Sequence, residues 1–388
     1  MMLIALSTRE SHSERSPRVL HVYKDVAPAV LGGIEKQIDL LRRAMPEVET
    51  SVVVCGRERR TTTVDVAGGR EVRVAELGPR PWSVPLAPTL PLWIRRSAAD
   101  VVHIHMPNPP GEASVLLAAR GLPLVVSYHA DIVRQARFER LYRPLVQACL
   151  RRADAIVAGT ESLARQSPGL ERDRAKVRVI RHAVDVKRFR PGTVAAERRA
   201  ELRARYGEPL VVAVGRLVYY KGYEQLIEAA RGLDAAVVIV GGGPLEADLR
   251  EQARDVPNVH LTGELSEPDL IAHLGAADCF ALCSTSRAES FGIAVAEAQA
   301  MGLPAVVTDV GTGTVEAIEP DVTGLVVEPG DPAALRSALA GLLADPERRR
   351  SMGEAARSRV VARHALDARA DEWRALYEEL LPRTFSIA

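Results

Sequence analysis

The sequence predicts an α/β protein built from two Rossmann-like, doubly wound domains, and three observations carry that expectation. The chain has 388 residues, enough for two domains that each bury a core of their own. Its short strand patterns, such as TSVVVC, DVVHIHMP and LPLVVSYH, are apolar throughout rather than alternating, as strands covered on both faces of a parallel sheet are. The alternation of strand and helix then starts afresh at Pro209 with PLVVAVG.

Composition narrows the function classes. With 51 basic and 50 acidic residues the net charge is +1, which gives no electrostatic reason to expect nucleic acid or general attraction to a membrane. Cys55, Cys149, Cys279 and Cys283 mostly fall inside apolar patterns, as reduced structural thiols do, and no Cys/His cluster completes a zinc site. A reducing cytoplasm is the simplest expectation. No apolar run reaches the roughly 18 residues that span a bilayer, and the opening MMLIALSTRESHSERS has no signal-peptide pattern. Residues 1–16 are expected to form a loosely ordered leader.

Arg18 to Tyr23 (RVLHVY) is the first strand, and a loop ending in Gly32 and Gly33 leads from it into the helical IEKQIDLLRRAM. Such a glycine turn is either a simple tight turn or a place where backbone amides meet a phosphate. TSVVVC, EVRVAEL, DVVHIHMP and LPLVVSYH follow as strands, with segments such as GEASVLLAAR between them as helices or loops. The proline-rich stretch from Pro79 to Pro91 reads as a surface loop.

His103 and His105 point to one side of their strand and read as hydrogen-bonded sheet histidines rather than metal ligands, because no third ligand is suggested. His129 stands where a strand ends and a crevice begins, beside Asp131. Residues 134–153 place Phe138, Leu141, Tyr142, Leu145 and Cys149 at helical spacing among six arginines. That face suits weak peripheral contact with anionic lipid, and equally suits packing on the sheet.

The second half opens with HAVDVKRFRPG (His182 to Gly192) and the charged helix VAAERRAELRARYG. After the strand PLVVAVG come Arg216 and Lys221, just ahead of a helix with Leu226, Ile227 and Ala230 on its apolar face. Two cations at a helix start, where the macrodipole is already positive, are unfavourable unless an anion lies nearby. A diphosphate removes that penalty. AAVVIV, the turn Gly241 to Pro244 and a helix follow, then VHLTG and the turn Gly263-Glu264-Leu265-Ser266.

CFALCSTS (Cys279 to Ser286) is long enough for a buried strand and too short for a helix. It leads through Glu289, Ser290, Phe291 and Gly292 into a helical pattern that starts at Ile293. The amides of Phe291, Gly292 and Ile293 are then orphan donors at a helix start, suited to an anion. Glu289 falls in the crevice and Glu297 about two turns into the helix. PAVVTD, the loop Gly311 to Thr314, GLVVEP and a helix capped by Asp331-Pro332 follow. The last helix, LDARADEWRALYEELL, aligns Trp373, Leu376, Tyr377 and Leu380 in one stripe.

The spacing of Glu289 and Glu297 resembles the E-x(7)-E signature of GT4-type retaining glycosyltransferases (glycosyl transferases group 1). GR-x(4)-KG at Arg216 to Gly222, the GGIEKQ turn and the HAVDVKRFRPG stretch are similar to further motifs of that family, with His182-Ala183 in place of its Asn-Gly. The resemblance implies the GT-B fold, two domains facing across a cleft. It places an acceptor-binding domain at 17–190, a nucleotide-sugar-binding domain at 191–365, and a C-terminal helix, 366–388, crossing back to the first.

It further implies that Glu289 and His129 face the donor sugar, that Arg216 and Lys221 neutralise the diphosphate, and that the Gly32-Gly33 loop approaches its phosphates. Ser290, Phe291, Gly292 and Ile293 would cradle it, Glu297 would hold the ribose, and Gly263 and Leu265 would read the base. The donor would be a UDP- or GDP-hexose, used as substrate, with no further cofactor. No Asp-x-Asp occurs in the chain, so side-chain cations are expected where other enzymes hold a metal. Bacterial mannosyl- and rhamnosyltransferases of surface polysaccharides and glycosyltransferases of aminoglycoside antibiotics share this wording. The acceptor is therefore expected to be a hydroxyl of a polysaccharide precursor or of an aminocyclitol. A nucleotide-sugar 2-epimerase and a catalytically silent nucleotide-sugar-binding protein are the rival readings.

Overall fold

A computed structural model of the protein describes residues 16–25, 32–66, 69–78, 80, 84–131 and 136–381, with the side chains of 136–141 set aside. The first half contains strands β1 (Arg18–Val22), β2 (Glu49–Cys55), β3 (Thr62–Val66), β4 (Gly69–Val74), β5 (Val101–Met106), β6 (Leu124–Tyr128), β7 (Ala155–Ala158) and β8 (Val177–Val179). They form one sheet in the order β3-β4-β2-β1-β5-β6-β7-β8, and only β3 runs antiparallel to its neighbour among the described strands. The helices α1 (Gly33–Ala44), α2 (Leu90–Arg96), α3 (Pro109–Ala118), α4 (Ala136–Arg152) and α5 (Glu161–Gln166) cover it.

The second half repeats the design. Its strands β9 (Leu210–Val214), β10 (Ala236–Val240), β11 (Val259–Gly263), β12 (Cys279–Leu282), β13 (Ala305–Thr308) and β14 (Gly324–Val327) pair in parallel in the order β11-β10-β9-β12-β13-β14. Helices α6 (Ala196–Tyr206), α7 (Tyr223–Ala230), α8 (Glu246–Gln252), α9 (Glu267–Ala276), α10 (Ile293–Ala300), α11 (Pro332–Leu343), α12 (Pro346–His364) and α13 (Leu366–Leu380) complete the chain. Residues of β12 split between two cores: Phe280 and Leu282 pack on one face of the sheet, and Cys279 and Ala281, with Cys283 just beyond the strand, on the other. That division is why its sequence is apolar at every position.

In each sheet the strand order reverses beside the first strand of the half. β1 pairs with both β2 and β5, and β9 with both β10 and β12. Loops leaving the two strands on either side of such a switch point diverge, and the crevice between them is where open α/β sheets bind ligands. The loop after β9 carries Arg216 and Lys221, and the loop after β12 carries Glu289.

The last helix, α13, buries Trp373, Leu376 and Tyr377 against Val19, Leu41, Val101 and Val125 of the first half, so the chain does cross back. The crossing is fixed where Val184 N donates to His364 O at 2.7 Å and Leu366 N donates to Val184 O at 3.0 Å.

Three expectations change. The stretch from Pro79 to Pro91 is not simply a surface loop: Ala87 and Leu90 are buried, and Pro91 opens α2, where its missing N–H costs nothing. The described apolar residues of the arginine-rich helix face the sheet rather than lipid: Tyr142, Val146, Cys149 and Leu150 pack into the first core, with Leu145 beside them. Phe138 and Leu141 lie outside the described side chains. Asp345-Pro346 starts a further helix, α12, where the sequence suggested a single one. Of the expected leader, residues 1–15 lie outside the described residues. No helix among the described residues is long and apolar enough to cross a membrane.

Candidate active site

At the second switch point a buried ion pair forms. Lys221 Nζ lies 2.6 Å from Glu289 Oε2, with the two side chains only 12% and 10% exposed. Ser284 Oγ donates to the same oxygen at 3.0 Å. Burial weighs against the charged Lys221, but the adjoining Glu289 carboxylate more than compensates, so the ammonium titrates above its ordinary range.

One glycine permits this approach. Gly222, at φ 67°, precedes α7, and a Cβ there would sit 2.0 Å from the carbonyl oxygen of Cys283. Only a bare backbone lets the Lys221 loop press against the end of β12. The Glu289 loop is held from behind, where Thr312 Oγ1 donates to Glu289 O at 2.6 Å and Gly313 N to Ser290 O at 2.9 Å.

The helix start beyond Glu289 is open. Among the described residues the amides of Phe291, Gly292 and Ile293 meet no acceptor, and Ser290 Oγ is buried without a partner. Gly292 takes a left-handed conformation ahead of α10, and Phe291 is buried, its ring 5.2 Å from those of both His182 and His364. Unpaired donors at a helix N-terminus form a ready site for an anion.

The start of α1 comes from the other half to meet it. A Cβ on Gly33 would lie 3.0 Å from Ile293 Cδ1, so Gly33 allows the two helix starts to touch. Gly32 precedes α1 in extended conformation. One turn on, Lys36 Nζ reaches Glu297 Oε1 at 2.5 Å and lies 4.9 Å from the centre of the Phe189 ring. Arg216 is exposed and makes no salt bridge among the described residues. Its charge is felt by Glu35 of α1, whose carboxyl burial pushes upward while Lys24 and Arg216 pull it back.

His129, at the end of β6, is half-buried, and its Nε2 is 3.0 Å from His105 Nδ1. Its ring stacks on His105 and, 6.4 Å away, on His182, which continues to Phe291. Burial, helped by His182, lowers its pKa to about 3, so the ring is neutral at pH 7. Asp131 is engaged structurally, accepting from Tyr128 OH at 2.9 Å and Ser167 Oγ at 2.6 Å. Gly263 closes β11 opposite the Gly241 turn, while the Leu265 side chain packs on the second core and lines a groove with Arg205, Arg250 and His260.

The structure therefore gathers Lys221, Glu289, Ser290 to Ile293, Glu297 and Gly33 in one crevice, links His129 to it through stacked rings, and leaves Arg216 exposed at its rim. Sequence reasoning missed Ser284, Lys36, Glu35 and His21. Lys36 and Glu35 stood within the GGIEKQ motif, one helical turn past its glycines, and that spacing was the available signal. Ser284 and His21 had no signal beyond position on a strand or at its end.

A family model for glycosyl transferases group 1 matches residues 194–359, and one for glycosyltransferase family 4 matches residues 31–188. The chain is 35% identical over 349 residues to the D-rhamnosyltransferase WbpZ of Pseudomonas aeruginosa, covering 88% of this chain and 91% of that protein. It is 32% identical over 377 residues to the O-antigen chain mannosyltransferase C of Escherichia coli, covering 94% and 99%. Sucrose-phosphate synthase from Thermosynechococcus elongatus shares the fold, with a TM-score of 0.80 at 22% identity over 94% of this chain and 99% of that one. Motifs, crevice and relatives agree: the chain belongs to the group 1 glycosyl transferases and is a glycosyltransferase of GT-B fold.

Proposed function

We propose that this glycosyltransferase moves a manno-configured hexosyl group from its GDP- or UDP-linked form to a hydroxyl of a growing surface glycan, with retention at the anomeric carbon and without a divalent metal. The observation that carries the reading is the crevice itself. The buried Lys221–Glu289 pair and the unpaired amides of Phe291 to Ile293 meet beyond the carboxyl end of β12, and the exposed Arg216 follows the neighbouring strand β9.

In the reaction the bond between the anomeric carbon and the phosphate oxygen breaks, and negative charge grows on the departing diphosphate. Cations and amides already in place stabilise that charge without reorganisation, the largest single contribution in most such sites. Arg216, Lys221 and the α10 amides supply it. The absence of Asp-x-Asp from the sequence agrees with protein cations serving where a metal would otherwise stand. Glu289, pinned by Lys221 and Ser284, orients the sugar. The acceptor oxygen bonds to the anomeric carbon on the face the phosphate leaves, and its proton passes to the departing phosphate oxygen. Glu297 takes the ribose hydroxyls, and Gly263 with the backbone of Leu265 meets the base.

The manno configuration is supported by the two relatives, a D-rhamnosyltransferase and an O-antigen chain mannosyltransferase by name, and the glycan acceptor by the second. Four buried free cysteines suit a reducing cytoplasm. The test is a donor screen across GDP- and UDP-hexoses, in buffer containing chelator, with lipid-linked glycan and aminocyclitol acceptors. Products are identified by mass spectrometry and their anomeric configuration by NMR. A manno-configured, retained product on the glycan acceptor is expected. An inverted product, dependence on added metal, or epimerised donor without acceptor would overturn the reading.

A further inference from the structure

Behind His129 lies a file of imidazoles for which the proposed reaction has no stated use. His105 Nδ1 is 3.0 Å from His129 Nε2, and His105 Nε2 is 2.9 Å from His21 Nδ1. The parallel register of β1, β5 and β6 builds the file: His21 lies opposite His103, two residues from His105, and His105 opposite Ser127, two residues from His129. His103 stands beside the file rather than in it. Its nitrogens are engaged by Tyr377 OH at 2.8 Å and Ser127 Oγ at 2.7 Å, and its ring stacks on His105 at 4.3 Å.

All three rings of the file are neutral, since burial holds each pKa far below its ordinary value. A neutral imidazole carries one N–H and one lone pair. His105 therefore donates to one neighbour and accepts from the other, and both hydrogen bonds run the same way. Only two arrangements exist. Either every ring carries its proton on Nε2, or every ring carries it on Nδ1.

The inner end decides between them. His21 Nε2 is buried and has no hydrogen-bond partner among the described residues. In the first arrangement that atom is an N–H without an acceptor, the rarer and costlier kind of orphan. It would also sit in the field of Arg42, whose positive charge acts on His21 and whose own Nε and Nη1 are buried donors without a partner among the described residues. In the second arrangement a lone pair faces that field, which is favourable. Hence the outer end, His129, carries its proton on Nδ1, an atom with no partner among the described residues.

We propose that His21 and His105 are positioning residues that lock His129 in its Nδ1–H tautomer, so that it offers the donor sugar a hydrogen-bond donor and never an acceptor. The group recognised is a sugar oxygen. This rests on the reading of His129 as facing the sugar. The ligand atoms of His21, His103 and His105 also lie within 4.8 Å of one another. Five of those six ring nitrogens are already hydrogen-bonded, so the file is better explained by its hydrogen bonds than by an ion.

The test is long-range proton–nitrogen NMR on the whole protein labelled with ¹⁵N-histidine, without ligand, at pH 7.5. His129 is expected to show a protonated Nδ1 and a bare Nε2. In His105→Leu the lock is gone, so His129 should shift toward the Nε2–H form and kcat/KM for the donor should fall about three- to tenfold, the effect of one hydrogen bond. His105→Asn, whose amide can donate from the position of Nδ1, should restore both. A wild-type His129 protonated on Nε2, or a tautomer unmoved in His105→Leu, overturns the lock. Should His105→Leu fail to fold, the wild-type spectrum alone decides. A tautomer that shifts while donor kinetics stay constant leaves the lock standing and refutes the placement of His129 against the sugar.

Discussion

Lys36 Nζ and Glu297 Oε1 lie 2.5 Å apart, one from the first helix of the N-terminal half and the other from the helix that follows Glu289. The pair spans the crevice. Glu297 is only 5% exposed, so its charge is satisfied by Lys36, by ligand hydroxyls, or by both.

If Glu297 holds the ribose, Glu297→Ala removes hydrogen bonds to a charged acceptor, worth about 1.5–3 kcal/mol. The donor KM should rise roughly 10- to 100-fold, with kcat little changed. Lys36→Ala should raise donor KM only a few-fold, because Lys36 is 26% exposed and its contribution is screened. Steady-state kinetics with varied donor measures both. A donor KM unmoved by Glu297→Ala would refute the ribose role.

Arg216 gives the cleanest test of charge stabilisation at the diphosphate. It is exposed and carries no salt bridge among the described residues, so Arg216→Ala should leave the thermal midpoint unchanged. It should lower kcat by about 10²- to 10³-fold, the loss typical of one preorganised stabilising group. The wild type should keep its rate in chelator. Unaltered turnover in Arg216→Ala, or collapse of wild-type turnover on chelation, would count against metal-free departure.

Much of this was legible in the sequence because the parallel strands are apolar on both faces and the site residues cluster at their ends. PLVVAVG and CFALCSTS marked β9 and β12, and their following loops supplied Lys221 and Glu289. What stayed hidden depends on strand order. Nothing in the sequence states that β9 and β12 are neighbours, so Lys221 and Glu289 were expected to serve different parts of the donor, not each other. The same holds for His21, which joins His105 only because β1 pairs with β5. The amphipathic stripe of α4 could not reveal whether sheet or lipid would cover it, since both bury the same side chains.

The Lys221–Glu289 pair predicts a coupled stability effect. Removing one partner of a buried ion pair strands the other charge and costs about 3–5 kcal/mol, whereas replacing both by neutral groups is often nearly neutral. Lys221→Met should therefore destabilise strongly, and Lys221→Met with Glu289→Gln should recover most of the loss. Urea denaturation of the two variants and Glu289→Gln closes the cycle. Equal, additive losses would mean the pair contributes nothing by its contact.

Acid should unfold the protein through its histidines. Burial lowers the pKa of His21, His129 and His364 to about 3 and of His182 to about 4, and holds His103 and His105 well below the ordinary value of 6.5. The unfolded chain takes up these protons near pH 6.5 and the folded one does not. The stability they represent is thus complete above that pH and is lost as pH falls, by about 1.4 kcal/mol per pH unit for each group. Glu112 works the other way. Burial raises its carboxyl to about 7, so its contribution is present in acid and lost as pH climbs from its ordinary 4.5 toward 7. Between pH 6 and 5 these histidines oppose Glu112 and Glu35, whose carboxyl burial also raises, and the six histidines prevail. Unfolding free energy measured by urea titration should fall steeply below pH 6.5, with a slope of several protons, and Glu112→Gln should steepen it further. A flat profile over that range would show that the imidazoles are not held neutral.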